Sequence, residues 1–240
     1  AIIVVEGFMT KSLFVTATGT DIGKTYISGL LVKKMRDYGF NCGYFKPVLS
    51  GAERNSDGEL VPGDCKFVVD TAKLDCKPLD CLSYCFEEAI SPHLASKRLG
   101  VEICLSKIET DYENLSKNYD YMLMEGAGGI TCPLRDAVQK SDLLLMPDLI
   151  KYLNKDVIIV ADGGLGTINS VITTVEYTEM CGIPIKGIIL NNFDKNDFMH
   201  RDNLYMIEKI TGLNVLATVG KDEKDIEIEK EVLEELFKED

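Results

Sequence analysis

Histidine is scarce in this chain: 240 residues carry only His93 and His200. Eight cysteines are present (Cys42, Cys65, Cys76, Cys81, Cys85, Cys104, Cys132 and Cys181), yet no two form a Cys-x-x-Cys pair. Four of them fall between 65 and 85, which invites a zinc reading. The spacings match no common zinc pattern, so they read as free thiols of a reducing compartment, and a cytoplasmic protein is expected. Basic side chains are outnumbered, 26 against 39 acidic, for a formal net charge of −13. That balance disfavours wrapping DNA or RNA. No apolar run approaches about 20 residues, so no segment is expected to span a membrane. Residues 1–8 are apolar but too short, and lack the basic start of a signal peptide. They are read as an N-terminal extension outside the fold. Internal repeats and low-complexity linkers are also missing. What remains, at 45% hydrophobic, suits one α/β domain over 9–240.

The most informative stretch is 12–31. An apolar run, Leu13-Phe14-Val15, reads as a buried strand. The chain then turns through Gly19, Thr20 and Asp21 into Gly23-Lys24-Thr25. Ile27, Leu30, Leu31 and Met35 follow at helical spacing. Strand, small-residue turn, Gly-Lys-Thr and helix together make a P-loop, whose backbone N–H groups and helix N-terminus hold phosphate oxygens. The Lys24 ammonium would lie against the outer phosphates, and the Thr25 hydroxyl could ligate Mg²⁺. Thr18 stands where the motif usually has its first glycine, and Gly19 beside it is expected to supply the unusual backbone angle.

Beyond the P-loop helix, Gly39 reads as a helix end. A second strand is predicted over 42–48, with Pro47 at its end rather than inside a ladder. Residues 52–63 read as a polar surface loop, 64–74 as a helix, 75–100 as irregular, and 101–117 as a helix. Asp64 at its helix start could be no more than a capping carboxylate. A third strand over 119–124 runs into Glu125-Gly126-Ala127-Gly128-Gly129, a carboxylate and glycine run suited to a second phosphate–Mg²⁺ element. Helices are predicted over 141–153 (with Pro147 breaking it or starting a turn within it), to about 180 after Gly166, over 200–211 and over 225–238. Strands are predicted over 156–161, 185–190 and 215–219. This alternation, with near-continuous apolar strands, predicts a P-loop NTPase-type α/β fold, a mostly parallel sheet with helices on both faces. Ligands of such sheets lie at the carboxyl ends of the strands, so all these motifs should line one crevice.

Taken together, Thr18-Gly19-Thr20-Asp21-Ile22-Gly23-Lys24-Thr25, Lys46-Pro47-Val48-Leu49-Ser50-Gly51, the Asp64 helix start, Ser91-Pro92-His93, Glu125-Gly126-Ala127-Gly128-Gly129 and the Gly-x-x-Asn ending at Asn169 resemble the dethiobiotin synthetase family over about 11–220. Asp21 replaces the more familiar Glu. Gly220-Lys221-Asp222 stands where the family often has a proline near the nucleobase.

The resemblance implies an ATP-dependent cyclo-ligase of biotin synthesis, acting on 7,8-diaminononanoate and CO₂ with ATP and Mg²⁺. It implies Lys24, Lys46, Thr20 and Ser50 as catalytic residues. Nucleotide contacts fall on Asp21, Ile22, Gly23, Lys24, Thr25, Tyr26, Asp64, Glu125, Gly126, Ala127, Gly128, Asn191 and Asn192. Thr25, Asp64 and Glu125 would hold the metal. Substrate contacts fall on Thr20, Asp21, Lys46, Ser50 and Gly129. Asn169 and Tyr205 would reach the substrate tail across a homodimer. Each has a plainer reading: Lys46 a surface lysine, Ser50 a turn residue, Asn169 a helix cap, Tyr205 core. A non-enzyme alternative is a ParA- or MinD-like ATPase switch. Those carry a second lysine five places before the P-loop lysine, where this chain has Gly19.

Overall fold

The structure, a computed structural model, describes residues 10–139 and 142–238. The reading of 1–8 as an extension lies outside the described residues. Seven parallel strands form the main sheet: β1 (Lys11–Ala17), β2 (Cys42–Ser50), β5 (Leu82–Phe86), β6 (Tyr121–Glu125), β9 (Val157–Asp162), β10 (Ile185–Asn191) and β11 (Val215–Thr218). The skipped numbers are short strands that form two small antiparallel pairs, β3 (Glu53–Arg54) with β4 (Leu60–Val61), and β7 (Pro133–Arg135) with β8 (Leu144–Leu145). The main sheet runs β11-β10-β9-β1-β6-β2-β5.

Helices are α1 (Lys24–Asp37), α2 (Gly63–Ala72), α3 (Pro92–Leu99), α4 (Leu105–Ser116), α5 (Met146–Tyr152), α6 (Thr167–Met180), α7 (Phe198–Thr211) and α8 (Lys230–Leu236). They cover both faces, as the continuous apolar strands require. In β1, Leu13, Val15 and Ala17 join a core with α1, α2 and α8, whereas Phe14 joins a second core with α4 and α5. Ile159 and Ala161 of β9 pack with α6 and α7 in a third. Among the described residues, no helix is long and apolar enough to cross a membrane.

Several expectations need correction. Pro47 lies inside β2, not at its end. The β6 ladder ends at Phe45 and the β5 ladder begins at Lys46, so the proline falls where the strand changes partners and no inner ladder loses a donor. The supposedly irregular 75–100 contains edge strand β5 and helix α3. The 52–63 loop holds the β3–β4 hairpin. The first residues of 101–117 are extended, and α4 begins at Leu105. The helix predicted from 141 begins only at Met146, with Pro147 in the first turn of α5. The last helix starts at Lys230, not at 225. Before it, Ile226 and Ile228 are both buried at a spacing of two, and Asp225 is drawn to Lys34 at 2.6 Å. Core burial and an ion pair outweigh helix propensity there.

Candidate active site

β1 stands between β6 and β9, with the chain crossing from it to β2 on one side and the later strands on the other. This is the switch point at which parallel sheets open a crevice. Above it lies a cleft of about 680 Å³ lined by Thr20, Asp21, Gly23, Lys24, Thr25, Lys46, Ser50, Asp64, Glu125, Ala127 and Gly128. Val48, Cys132 and 89–92 complete the lining.

The P-loop conformation comes from its backbone. Gly23 precedes α1 with φ of +94° and Asp21 takes +59°; Gly19, expected to carry the unusual angle, is not among the positive-φ residues. The left-handed turn is therefore displaced toward the helix. A Cβ on Gly23 would fall 2.2 Å from Asn191 Nδ2. That close approach lets the Asn191 amide donate to the Ile22 carbonyl at 2.9 Å, bracing the loop from the end of β10. Gly129 packs so that a Cβ would meet the Ala17 carbonyl at 3.3 Å, which seats the glycine run after β6 on the P-loop backbone.

Sheet register assembles the charged centre. Phe45 is level with Met124, which brings Lys46 alongside Glu125. The Lys46 ammonium lies 2.6 Å from Glu125 Oε1 and 2.6 Å from Asp64 Oδ2. Thr25 Oγ1, from the first turn of α1, donates to the same Oε1 at 2.7 Å. Tyr44, two residues before Lys46 and on the same strand face, donates its hydroxyl to Glu125 Oε2 at 2.8 Å. Glu125 is fully buried, and both its oxygens are hydrogen-bonded, as a carboxylate there requires. Lys46, 4% exposed, is a buried centre and not a surface lysine. Burial alone would lower its pKa, but the Glu125 and Asp64 carboxylates outweigh that and raise it. Lys24 shifts the other way: burial, then repulsion from Lys46, lowers it. Its ammonium donates to the Gly19 carbonyl at 3.2 Å.

Asp64 is no cap. The cap position of α2 is Pro62, with no side-chain cap bond, and Asp64 sits in the first turn facing Lys46. Ser50 lines the cleft with its hydroxyl oxygen buried and without a hydrogen-bond partner, a donor that a bound group would satisfy. Among the described residues no three His, Cys, Asp or Glu side chains gather as a metal site. The cleft instead offers the Asp64 and Glu125 carboxylates, which meet at the Lys46 ammonium, and the Thr25 hydroxyl bonded to Glu125. Such a hard-oxygen set, with positions left for phosphate oxygens and water, fits Mg²⁺.

Other expected residues lie outside the cleft lining. Asn169 is in the first turn of α6, exposed, behind a cap that is Gly166 and uses no side chain. Tyr205, on α7, is 56% exposed and receives a hydrogen bond from Lys209 at 3.3 Å, so it is not core. Asn192 donates to Asp162 at 2.8 Å. Tyr26 donates to the Glu223 carbonyl and packs on Phe67 at 5.9 Å. Sequence reasoning missed Tyr44, whose signal was its spacing of two from Lys46. It also gave no role to Cys132, whose thiol burial raises to about 11 despite the lysines nearby.

The fold resembles those of a ParA family ATPase from Chlorobium tepidum (15% identity, TM-score 0.53, covering 95% of this chain and 89% of that one). It also resembles a chain of the MinC:MinD cell division protein complex of Aquifex aeolicus (14% identity, TM-score 0.51, 90% and 83% covered). At those identities the likeness concerns the fold alone. A family model described as "AAA domain" matches residues 11–227. The ATP-dependent dethiobiotin synthetase of Clostridium botulinum strain 657 is 44% identical over 231 residues, 96% of this chain and 100% of that protein. The enzyme of the same name from Clostridium perfringens strain 13 is 45% identical over 228 residues, 95% and 97% covered. With that identity over the full length of its relatives, and a P-loop cleft of the geometry just described, the chain belongs to the ATP-dependent dethiobiotin synthetase family of ligases.

Proposed function

We propose that the domain over 9–240 carboxylates 7,8-diaminononanoate with CO₂ and closes its ureido ring, using Mg-ATP and releasing dethiobiotin, ADP and phosphate. One amine takes up CO₂ as a carbamate. A carbamate oxygen accepts the γ-phosphoryl group, giving a carbamic–phosphoric anhydride, and the second amine attacks its carbonyl carbon and expels phosphate.

The observation that carries this reading is the pair of buried lysines, Lys24 and Lys46, lining one cleft. An anionic carbamate must approach an anionic phosphate, and fixed cations between them stabilise charge that develops in transfer. Lys24 would hold the outer phosphates. Lys46, the more strongly held, would face the carbamate. Thr25, Asp64 and Glu125 would hold Mg²⁺, which when bound neutralises phosphate oxygens. Thr20, Asp21, Ser50 and Gly129 would orient the diamine end, with the unpartnered Ser50 hydroxyl supporting its part. The backbone of 21–23 and 126–128 would cradle phosphates, and Tyr26, Asn191 and Asn192 would border the nucleoside. The substrate tail carries a carboxylate, for which Asn169 and Tyr205 of a second copy in a homodimer would serve. Their exposure, with that of Leu165 just before α6 and Phe198 at the start of α7, supports such a contact.

Incubation with Mg-ATP, diaminononanoate and ¹³C-bicarbonate tests the reading. Dethiobiotin labelled at the ureido carbon is the expected product, seen by mass spectrometry. ATP consumption with no labelled ring product would overturn it.

A further inference from the structure

Cys76 and Cys81 are outside the lining of the lysine cleft, just before β5, whose Leu82 is level with Lys46. Cys76 is in the turn after α2, and Cys81 closes the 3-10 turn Pro78–Cys81. Two local bonds tie that turn together: Asp80 N–H donates to the Lys77 carbonyl at 2.9 Å, and Lys77 N–H to Asp80 Oδ2 at 3.1 Å. The sulfurs end 3.4 Å apart. Their exposure differs. Cys76 is half-buried and opens onto a second cavity of about 570 Å³, bordered by Leu79, Lys107, Asp111 and Tyr119, whereas Cys81 is fully buried behind it.

We propose that Cys76 and Cys81 form a reversible dithiol–disulfide site, with Cys76 attacking and Cys81 resolving, and a low-molecular-weight disulfide as oxidant. The Cys76 thiolate attacks one sulfur of that disulfide, forming a mixed disulfide and expelling one thiolate. Cys81 then loses its proton and attacks Cys76 Sγ, expelling the second. Two protein thiols are oxidised and one disulfide is reduced to two thiols. An accessible thiol with a resolving partner at contact distance is the arrangement this exchange needs. The environment favours the same order of events: the hydrogen bond with Cys81, and a further one with Tyr119, draw the Cys76 thiol below its ordinary value against the opposing effect of burial. Cys42, Cys65, Cys85 and Cys132 are all raised by burial, so they compete poorly.

Asp75, Asp80 and Asp111 line the cavity mouth, so the probe should carry no negative charge. The full chain is incubated with 2-hydroxyethyl disulfide, quenched in acid, alkylated with iodoacetamide and mapped by peptide mass spectrometry. The expected result is a Cys76–Cys81 link, lighter by two hydrogens and reversed by dithiothreitol. Cys81→Ser should stop at a persistent mercaptoethanol adduct on Cys76, and Cys76→Ser should leave Cys81 a free thiol. The proposal is overturned if Cys76 and Cys81 alkylate as fully after treatment as before it. It is equally overturned if the adduct in Cys81→Ser forms on another cysteine in preference to Cys76.

Discussion

Lys46 and Glu125 meet at 2.6 Å with almost no solvent on either side chain, joined across two neighbouring strands of the sheet. The pair links the carboxylate that ends β6 to the cation that faces the cleft. Asp64 draws on the same ammonium, and Thr25 and Tyr44 hold the same carboxylate. A change at any of the five is therefore felt by the others.

Lys46→Gln removes the central cation. Glu125 then stays buried without its counter-charge, which costs stability of about 3–5 kcal/mol. Turnover should fall by ~10²-fold or more, the scale of losing one preorganised stabilising donor, while ATP still binds through Lys24 and the P-loop. Lys24 should respond too. Its lowered pKa includes repulsion from Lys46, so the variant should titrate Lys24 at higher pH. Kinetics, ATP titration and ¹³C-lysine NMR check these in turn. Turnover within a few-fold of the parent, or an unmoved Lys24 titration, would contradict the role.

Tyr44→Phe leaves Glu125 Oε2 buried without a partner. A hydrogen bond to a charged group contributes roughly 1.5–3 kcal/mol, and denaturant unfolding should show a loss on that scale. The freed carboxylate should also need more Mg²⁺ for half-activity. If stability falls while the Mg²⁺ dependence stays put, Tyr44 serves the core alone.

These contacts show where legibility in the sequence ended. The P-loop could be read because Gly23-Lys24-Thr25 and its flanking strand and helix are contiguous. Glu125 could be read because a strand-end carboxylate before glycines is a local pattern. Spacing of two puts Tyr44 on the face of Lys46, but its partner could not be read, because that is set by β2 lying beside β6, a relationship of sheet order. Asp64 stayed ambiguous for the same reason: a carboxylate in a first helical turn means capping unless the chain brings a lysine to it. β5 was hidden by its edge position, its half-buried residues and the proline before it.

Asn169→Ala separates binding from capping. The α6 cap is Gly166 and uses no side chain, so the variant should melt within about a degree of the parent, lacking the ~1 kcal/mol loss of a true cap. The diaminononanoate KM should rise while the ATP KM holds, the pattern of lost ground-state binding far from the phosphates. An unchanged diaminononanoate KM would remove Asn169 from the substrate site.

The most direct measurement is phosphate release from Mg-ATP with diaminononanoate and bicarbonate supplied separately and together. If the phosphoryl acceptor is the carbamate, only the mixture creates it, and release should be brisk with both and near background with either alone. Brisk release with neither present would contradict the ligase account and point to an ATPase switch acting through a partner.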